Sequence, residues 1–378
     1  MSYAAEVFPP GEFLKEELAA RNWSQSEFAD IIGRPVRLIN EIIAGKRSIT
    51  PETAKQLGAS LGTSAAIWMN LESQYQLSKV NQNDNLIRRK AALHARFPAR
   101  EMYRRQWINQ SDDIDAQEES FRVYFGDLQS IDEEPQMAHA ARKTSYGSVT
   151  MPQWAWLFRV RQIAASFVLP AYNRDRLQAS LPQLHALMSA AEEIRNVPRI
   201  LNEAGVRFVV VETLPGSKID GACIWLSDSQ PVIALSARLD RIDNYWFVLR
   251  HELEHLLQEH GKDVSLMLDE ELIGSPIASL STEEQEANTA AAEFGVSSAE
   301  LMNYMMRVNP FYFSKENVLG FSGRLGVHPG IVVGRLHKEL ESSGSSPYKF
   351  LREYLVKVRH IVTQSAPSDG WGHVHSIG

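Results

Sequence analysis

The sequence predicts a mainly α fold with one α+β part. Apolar residues recur at helical spacing through most of the 378 residues. Strand-like apolar runs cluster only between residues 206 and 235. Pro, Ser, Thr and Gly punctuate the chain where helices should start and stop.

The first 80 residues read as five short helices. Phe13, Leu14, Glu17 and Leu18 follow Pro9-Pro10, a helix-start signal. Ser24 or Ser26 can cap a second helix carrying Phe28, Ala29, Ile31 and Ile32, which stops at Gly33. A third runs from Pro35 to Ala44 and stops at Gly45. Thr50-Pro51-Glu52 opens a fourth, with Pro51 at its first position, and a fifth covers Ser64–Leu77.

Residues 81–135 are polar, with a basic run at Arg88–Lys90 and an acidic one from Asp112 to Glu119, and Gln129–Pro135 reads as a linker. Helical periodicity returns over 136–200, where Trp154, Trp156, Leu157, Val160 and Ile163 form a core stripe. Val206–Glu212, Gly221–Leu226 and Pro231–Leu235 read as strands, followed by helices over Asp243–Glu259 and Thr282–Phe294. Residues 300–362 are helical, and the Ser-, Gly- and His-rich tail 364–378 is expected to fray. The divisions expected are 1–80, 81–200, 201–300 and 301–378.

Composition sets bounds. Hydrophobic residues at 44% and charged ones at 22% are those of a soluble globular chain, long enough for two or three units. One cysteine, Cys223, excludes an intramolecular disulfide and suits a reducing compartment. Met1–Pro10 lacks the features of a signal peptide, and no apolar run reaches the ~18 residues a membrane span requires. A cytoplasmic protein without a membrane partner is expected. The net charge of −7 does not advertise nucleic acid, so any such role must rest on where the basic residues lie.

Four of the eight Lys and Arg residues in the first 80 positions fall between 34 and 47. Arg34, Arg37 and Asn40 take outward positions on the third helix, and Lys46 and Arg47 follow in the next loop. Arg suits a bidentate contact to guanine, Asn one to adenine, and loop cations can hold phosphates. A small residue at the turn between two helices is the helix-turn-helix pattern. The stretch GRPVRLINEIIAGKRSIT from Gly33 resembles the Cro/C1-type helix-turn-helix of HigA-like antitoxins, and Trp68–Leu77 resembles that family's closing helix. The resemblance covers residues 8–80. It implies a dimeric binder of operator DNA and, on the HigA branch, a toxin protein as partner.

His251-Glu-Leu-Glu-His255 is an HExxH motif. Histidines four apart lie one turn apart on the same helical face, so both can reach one Zn²⁺. Glu252 falls beside the metal, where it can act as general base. Trp246, Phe247, Leu249, Leu253, Leu256 and Leu257 bury the helix on at least one side. His260, just beyond, reads as a solvated residue, and His328 as structural. A third ligand is required. On the next helix Glu283 and Glu284 flank the apolar face of Ala287, Ala290, Ala291 and Phe294, while Glu286 points away. Ser281-Thr-Glu-Glu also fits a capping box that would employ Glu284 at the helix start.

Val206–Phe294 resembles the ImmA/IrrE-type metallopeptidases, through the strands at Phe208–Val211 and Val232–Leu235, Gly221-Ala222, the run from Phe247 to His255, and Glu284-Gln-Glu-Ala-Asn. The resemblance implies a small-sheet zincin-like domain, with Glu284 as third ligand and Glu283 as runner-up. It departs at Thr289–Ser297, where the family's Phe-Ala step and Leu-Leu-Met-Pro-like end are missing. The full expectation is a five-helix helix-turn-helix domain, a helical middle region, a zincin-like domain and a helical C-terminus. Zn²⁺ is the expected cofactor, with Mn²⁺ as the other ion the donor set accepts. The expected function is a DNA-binding repressor with an endopeptidase acting on itself or a partner regulator. A homodimer is expected from operator symmetry. The alternative is a non-proteolytic antitoxin or transcription factor whose metal domain senses or stabilises.

Overall fold

The computed structural model describes residues 7–80, 84–126, 141–143, 149–260, 266–270, 281–308, 313–342 and 350–373. The chain divides into two compact units, Met1–Ile87 and Arg88–Gly378.

The first unit contains α1 (Pro10–Ala20), α2 (Gln25–Ile32), α3 (Val36–Ile43), α4 (Pro51–Leu61) and α5 (Ala65–Lys79). The punctuation works as its chemistry demands. Ser24 and Glu27 form a reciprocal capping box at the start of α2, and Gly33 ends that helix in the left-handed region at φ 65°. Thr50 caps α4, which opens on Pro51, and Ser64 caps α5. Leu14, Leu18, Phe28, Ile39, Leu57 and Trp68 are among the side chains that fill the core. Each buried side chain of this size contributes roughly 1.5–3 kcal/mol.

The second unit is built on a six-stranded sheet. Its strands are β1 (Ala141–Lys143), β2 (Arg207–Val211), β3 (Ile219–Trp225), β4 (Pro231–Leu235), β5 (Leu266–Glu270) and β6 (Ser368–Asp369). The order is β1-β5-β3-β4-β2-β6. β2 runs parallel to β4 and β6, whereas β3 is antiparallel to both β4 and β5.

Helices cover both faces. Phe208, Val210, Cys223, Ile233 and Leu235 point into a core shared with α12 (Ile242–Leu257) and the C-terminal helices. The alternate residues Val209, Val211, Ala222, Ile224, Val232 and Ala234 point into a second core. That core is closed by α7 (Ala99–Arg104), α8 (Ile114–Tyr124) and α9 (Met151–Ala165). Burial on both faces explains why these strands are continuous apolar runs instead of alternating ones. The stripe Trp154, Trp156, Leu157, Val160 and Ile163 lies in this second core, and Trp156 Nε1 donates to the Val211 carbonyl at 2.9 Å.

Two readings of the sequence are corrected here. Residues 84–126 are not an open polar segment. α6 (Asp84–Arg96), α7 and α8 pack Leu93, Phe97, Met102, Phe121 and Phe125 against the sheet, while Arg89 joins Glu118 and Asp115 on the outside. The linker read at Gln129–Pro135 lies outside the described residues. Within the tail, β6 extends the sheet, and the fully buried Asp369 binds Arg159 and accepts from Trp107 Nε1 at 3.0 Å. A buried ionic partner holds a segment whose composition reads as disordered. Both cores run across residue 200, and the first also runs across residue 300, because strands, middle helices and C-terminal helices cover one another's apolar faces. Among the described residues no helix is long and apolar enough to cross a membrane.

Candidate functional site

In the first unit, α3 buries Ile39 and Ile42 and leaves Arg37 and Asn40 exposed. A Cβ on Gly11 would lie 2.2 Å from the Ile42 carbonyl oxygen, so α1 packs against the end of α3 with no room to spare. Arg37 Nε donates to Glu41 at 2.7 Å and Arg47 Nη1 reaches the same carboxylate at 3.1 Å. Lys46 and Arg47 are exposed beside them. These exposed pairs are worth little in water and can be exchanged for phosphate or base contacts at small cost. Arg34 departs from the expectation. It is half-buried, with Nε on Gln56 at 2.9 Å and Nη2 on Glu52 at 2.5 Å, so it ties the α2–α3 turn to α4.

In the second unit, α12 carries His251, Glu252 and His255, each with no exposed surface, and Glu284 on α13 (Thr282–Gly295) is 1% exposed. His251 Nε2 lies 2.9 Å from His255 Nε2. Glu284 reaches His255 Nε2 with Oε1 at 3.1 Å and His251 Nε2 with Oε2 at 3.3 Å. Three donor atoms from separate turns therefore converge on one point. Zinc ligands at ~2.0–2.1 Å in a tetrahedron lie ~3.3–3.4 Å apart. The edges here, 2.9, 3.1 and 3.3 Å, run from somewhat shorter up to that length, and two imidazoles with one carboxylate are a donor set zinc accepts. Glu284, and not the partly exposed Glu283, makes this approach. The Ser281 hydroxyl does cap α13 by accepting from the Glu284 amide at 3.3 Å, but the Glu284 carboxylate is turned inward to the histidines.

Two neighbours complete the centre. Gly221 on β3 lies so close that an added Cβ would fall 2.1 Å from Glu252 Oε1. The absence of a side chain there is what lets the Glu252 carboxylate lie against the sheet. His260 is the residue that sequence reasoning missed. Instead of facing solvent, its Nδ1 lies 3.0 Å from His255 Nδ1. A turn at Glu259, φ 55°, folds it back, and its amide donates to the His255 carbonyl at 2.8 Å. Burial, and then the neighbouring His255, hold its imidazole pKa below the usual value. The signal available in sequence was only its spacing, five residues after His255. His328 behaves as expected of a structural residue, with Nδ1 accepting from the Gly330 amide at 3.0 Å.

Residues 14–68 match the helix-turn-helix family. Two relatives cover 21% of this chain each. One is the uncharacterized HTH-type transcriptional regulator YddM of Escherichia coli (strain K12), 29% identical over 79 residues and covered over 84% of its length. The other is virulence-associated protein I of Dichelobacter nodosus, 34% identical over 79 residues and covered over 73%. Among solved structures, an addiction module antidote protein of the HigA family from Coxiella burnetii is 34% identical, with 19% of this chain and 80% of that chain covered and a TM-score of 0.19. PA4674 of Pseudomonas aeruginosa, solved with its operator DNA, is 32% identical, with 20% and 83% covered and a TM-score of 0.20.

Proposed function

The chain belongs, through residues 14–68, to the helix-turn-helix family, and we propose that it is a cytoplasmic DNA-binding transcriptional regulator whose second unit holds a zinc peptidase centre. The exposed Arg37 and Asn40 on α3, within the matched segment, carry the first half. They are the residue types that read guanine and adenine edges, and Lys46 and Arg47 are placed to hold phosphates. As a homodimer the protein would read two half-sites one helical turn apart, ~34 Å. Selection of DNA from a random library by the full chain tests this. The resemblance to HigA-like antitoxins adds a toxin protein as a second partner. Co-purification with the product of an adjacent short gene tests that part.

For the second half, His251, His255 and Glu284 would hold the metal, Zn²⁺ in first place and Mn²⁺ in second. A bound zinc ion would supply Lewis acidity that brings water attack on a carbonyl within reach of neutral pH. Glu252 takes the role of general base, accepting a proton from the attacking water and passing it to the leaving amine. Were Nε2 of His255 to hold the ion, its Nδ1 would carry the proton and donate to His260 Nδ1, 3.0 Å away, which would fix the ring. The substrate on this reading is a peptide bond in the chain itself or in a partner regulator. The convergence of three donors from two helices favours this zincin-like, ImmA/IrrE-type reading. The same convergence also serves a non-proteolytic sensor or structural site. Glu252→Gln separates the two, since it abolishes hydrolysis and leaves sensing or scaffolding in place.

A further inference from the structure

β3 meets the His251, His255 and Glu284 cluster through Gly221, which lies against Glu252. One edge of β3 pairs with β4 from Gly221 to Trp225. The other pairs with β5, antiparallel, from Ile219 to Ile224. Asp269 is the register partner of Gly221, so β5 runs past the level of Glu252 at one strand spacing from β3, about 4.8 Å. β5 belongs to the connection between α12 and α13, the two helices that carry the cluster. On its outer side β1 pairs with Leu266–Leu268 and backs it.

The edge of β3 is held in shape by bonds that do not involve β5. The register slips between Ile219 and Gly221, which leaves Asp220 as an extra residue on β3. A bulge of this kind bends the strand and re-aims its backbone. Asp220 is buried, and Arg238 donates to both its carboxylate oxygens, Nε to Oδ1 at 2.9 Å and Nη2 to Oδ2 at 3.0 Å. The Asp220 carbonyl accepts from the Ser236 amide at 3.0 Å, and the Ser236 hydroxyl donates to the Ile219 carbonyl at 2.7 Å. The segment just after β4 thus fixes Ile219–Gly221 from behind. An edge built in this way offers its backbone N–H and C=O groups to whichever strand lies along it.

We propose that β5 is a built-in competitor: it holds the edge of β3 beside Glu252 on which an extended peptide substrate docks by antiparallel backbone pairing, and hydrolysis requires its displacement. This rests on the peptidase reading above and deepens it. Strand addition draws its affinity from main-chain hydrogen bonds, and β3 has a single edge left once β4 is paired. The substrate is therefore an extended segment, and a folded domain that cannot supply one is refused. While β5 stays paired, only a small fraction of chains is open to substrate, and the apparent affinity falls in proportion.

The register supplies a direct test. Cys223, the chain's one cysteine, is the partner of Met267. Directly opposed residues of antiparallel strands have Cα atoms about 4.5–5.5 Å apart, within the span of a disulfide. Met267→Cys, oxidised with diamide, should lose both thiols to an intramolecular disulfide, and dithiothreitol should restore them. The docking probe is a fluorescein-labelled peptide of residues 264–272, read by anisotropy. The full chain with Leu266–Glu270 replaced by Gly-Ser-Gly-Ser-Gly should bind it at least roughly tenfold more tightly than wild type does. Oxidised Met267→Cys should bind it no better than wild type. No disulfide in folded Met267→Cys, or equal peptide affinity in wild type and the Gly-Ser variant, would overturn the proposal. The disulfide readout holds even where the Gly-Ser variant fails to fold. Neither readout needs metal or hydrolysis, so both stand apart from the peptidase reading, which Glu252→Gln tests.

Discussion

Gly221 of β3 and Glu252 of α12 are in closest approach: a methyl group on the glycine would lie 2.1 Å from Glu252 Oε1. Val248 Cγ1, at 2.8 Å from the same point, closes the other side. The carboxylate proposed as general base thus owes its place to a residue with no side chain.

Gly221→Ala should therefore force Glu252 aside or lift α12 from the sheet. Overpacking of this kind costs about 1–3 kcal/mol. Urea unfolding should show the loss as a lowered midpoint, and a midpoint equal to wild type would contradict the close approach.

Glu284→Gln and His255→Ala should each remove the bound metal, whereas Glu283→Gln should keep it. Elemental analysis of the purified variants reads this directly. A chelator should lower the melting temperature of wild type and leave that of Glu284→Gln unchanged, because an ion bound only to the native state stabilises it. Equal metal in Glu284→Gln and wild type would remove Glu284 from the ligand set.

His260→Ala should lower metal affinity by roughly 10–100-fold, the usual effect of deleting a hydrogen-bond partner of a ligating histidine. Competition against a chromophoric chelator measures it. An unchanged affinity would return His260 to the role of a bystander.

Glu252→Gln should retain a full equivalent of metal and lose hydrolysis of the chain or its partner regulator, followed by mass spectrometry of both proteins. Cleavage at the wild-type rate would exclude Glu252 as the base.

Much of this was legible in the sequence, for local reasons. Ser24, Gly33, Thr50 and Pro51 act on their own helices, and each does what its chemistry dictates. The spacing of His251 and His255 fixes their common face without reference to anything distant. What could not be read depends on long-range partners. Asp369 looks like a tail residue until Arg159 is found beside it. Phe97, just after α6, stacks on Phe121 of α8 and on Phe125 at its end, which a polar composition conceals. Helical position alone does not show the partners of Arg34 and His260, which are half-buried on Gln56 and Glu52 and on His255, each just after a residue of positive φ, Gly33 and Glu259.

The most direct measurement of the central claim is in vitro selection of DNA by the full chain, followed by affinities of variants for the enriched site. Sequence-selective binding is expected, weakened ~10-fold or more by Arg37→Ala or Asn40→Ala through loss of a bidentate base contact. Lys46→Ala should instead flatten the salt dependence by about 0.9 in the log–log slope. Arg34→Ala should act on the stability of the first unit, by under ~1 kcal/mol, and His255→Ala should leave α3 and its contacts intact. Failure to enrich any sequence, or wild-type affinity in both Arg37→Ala and Asn40→Ala, would contradict the account.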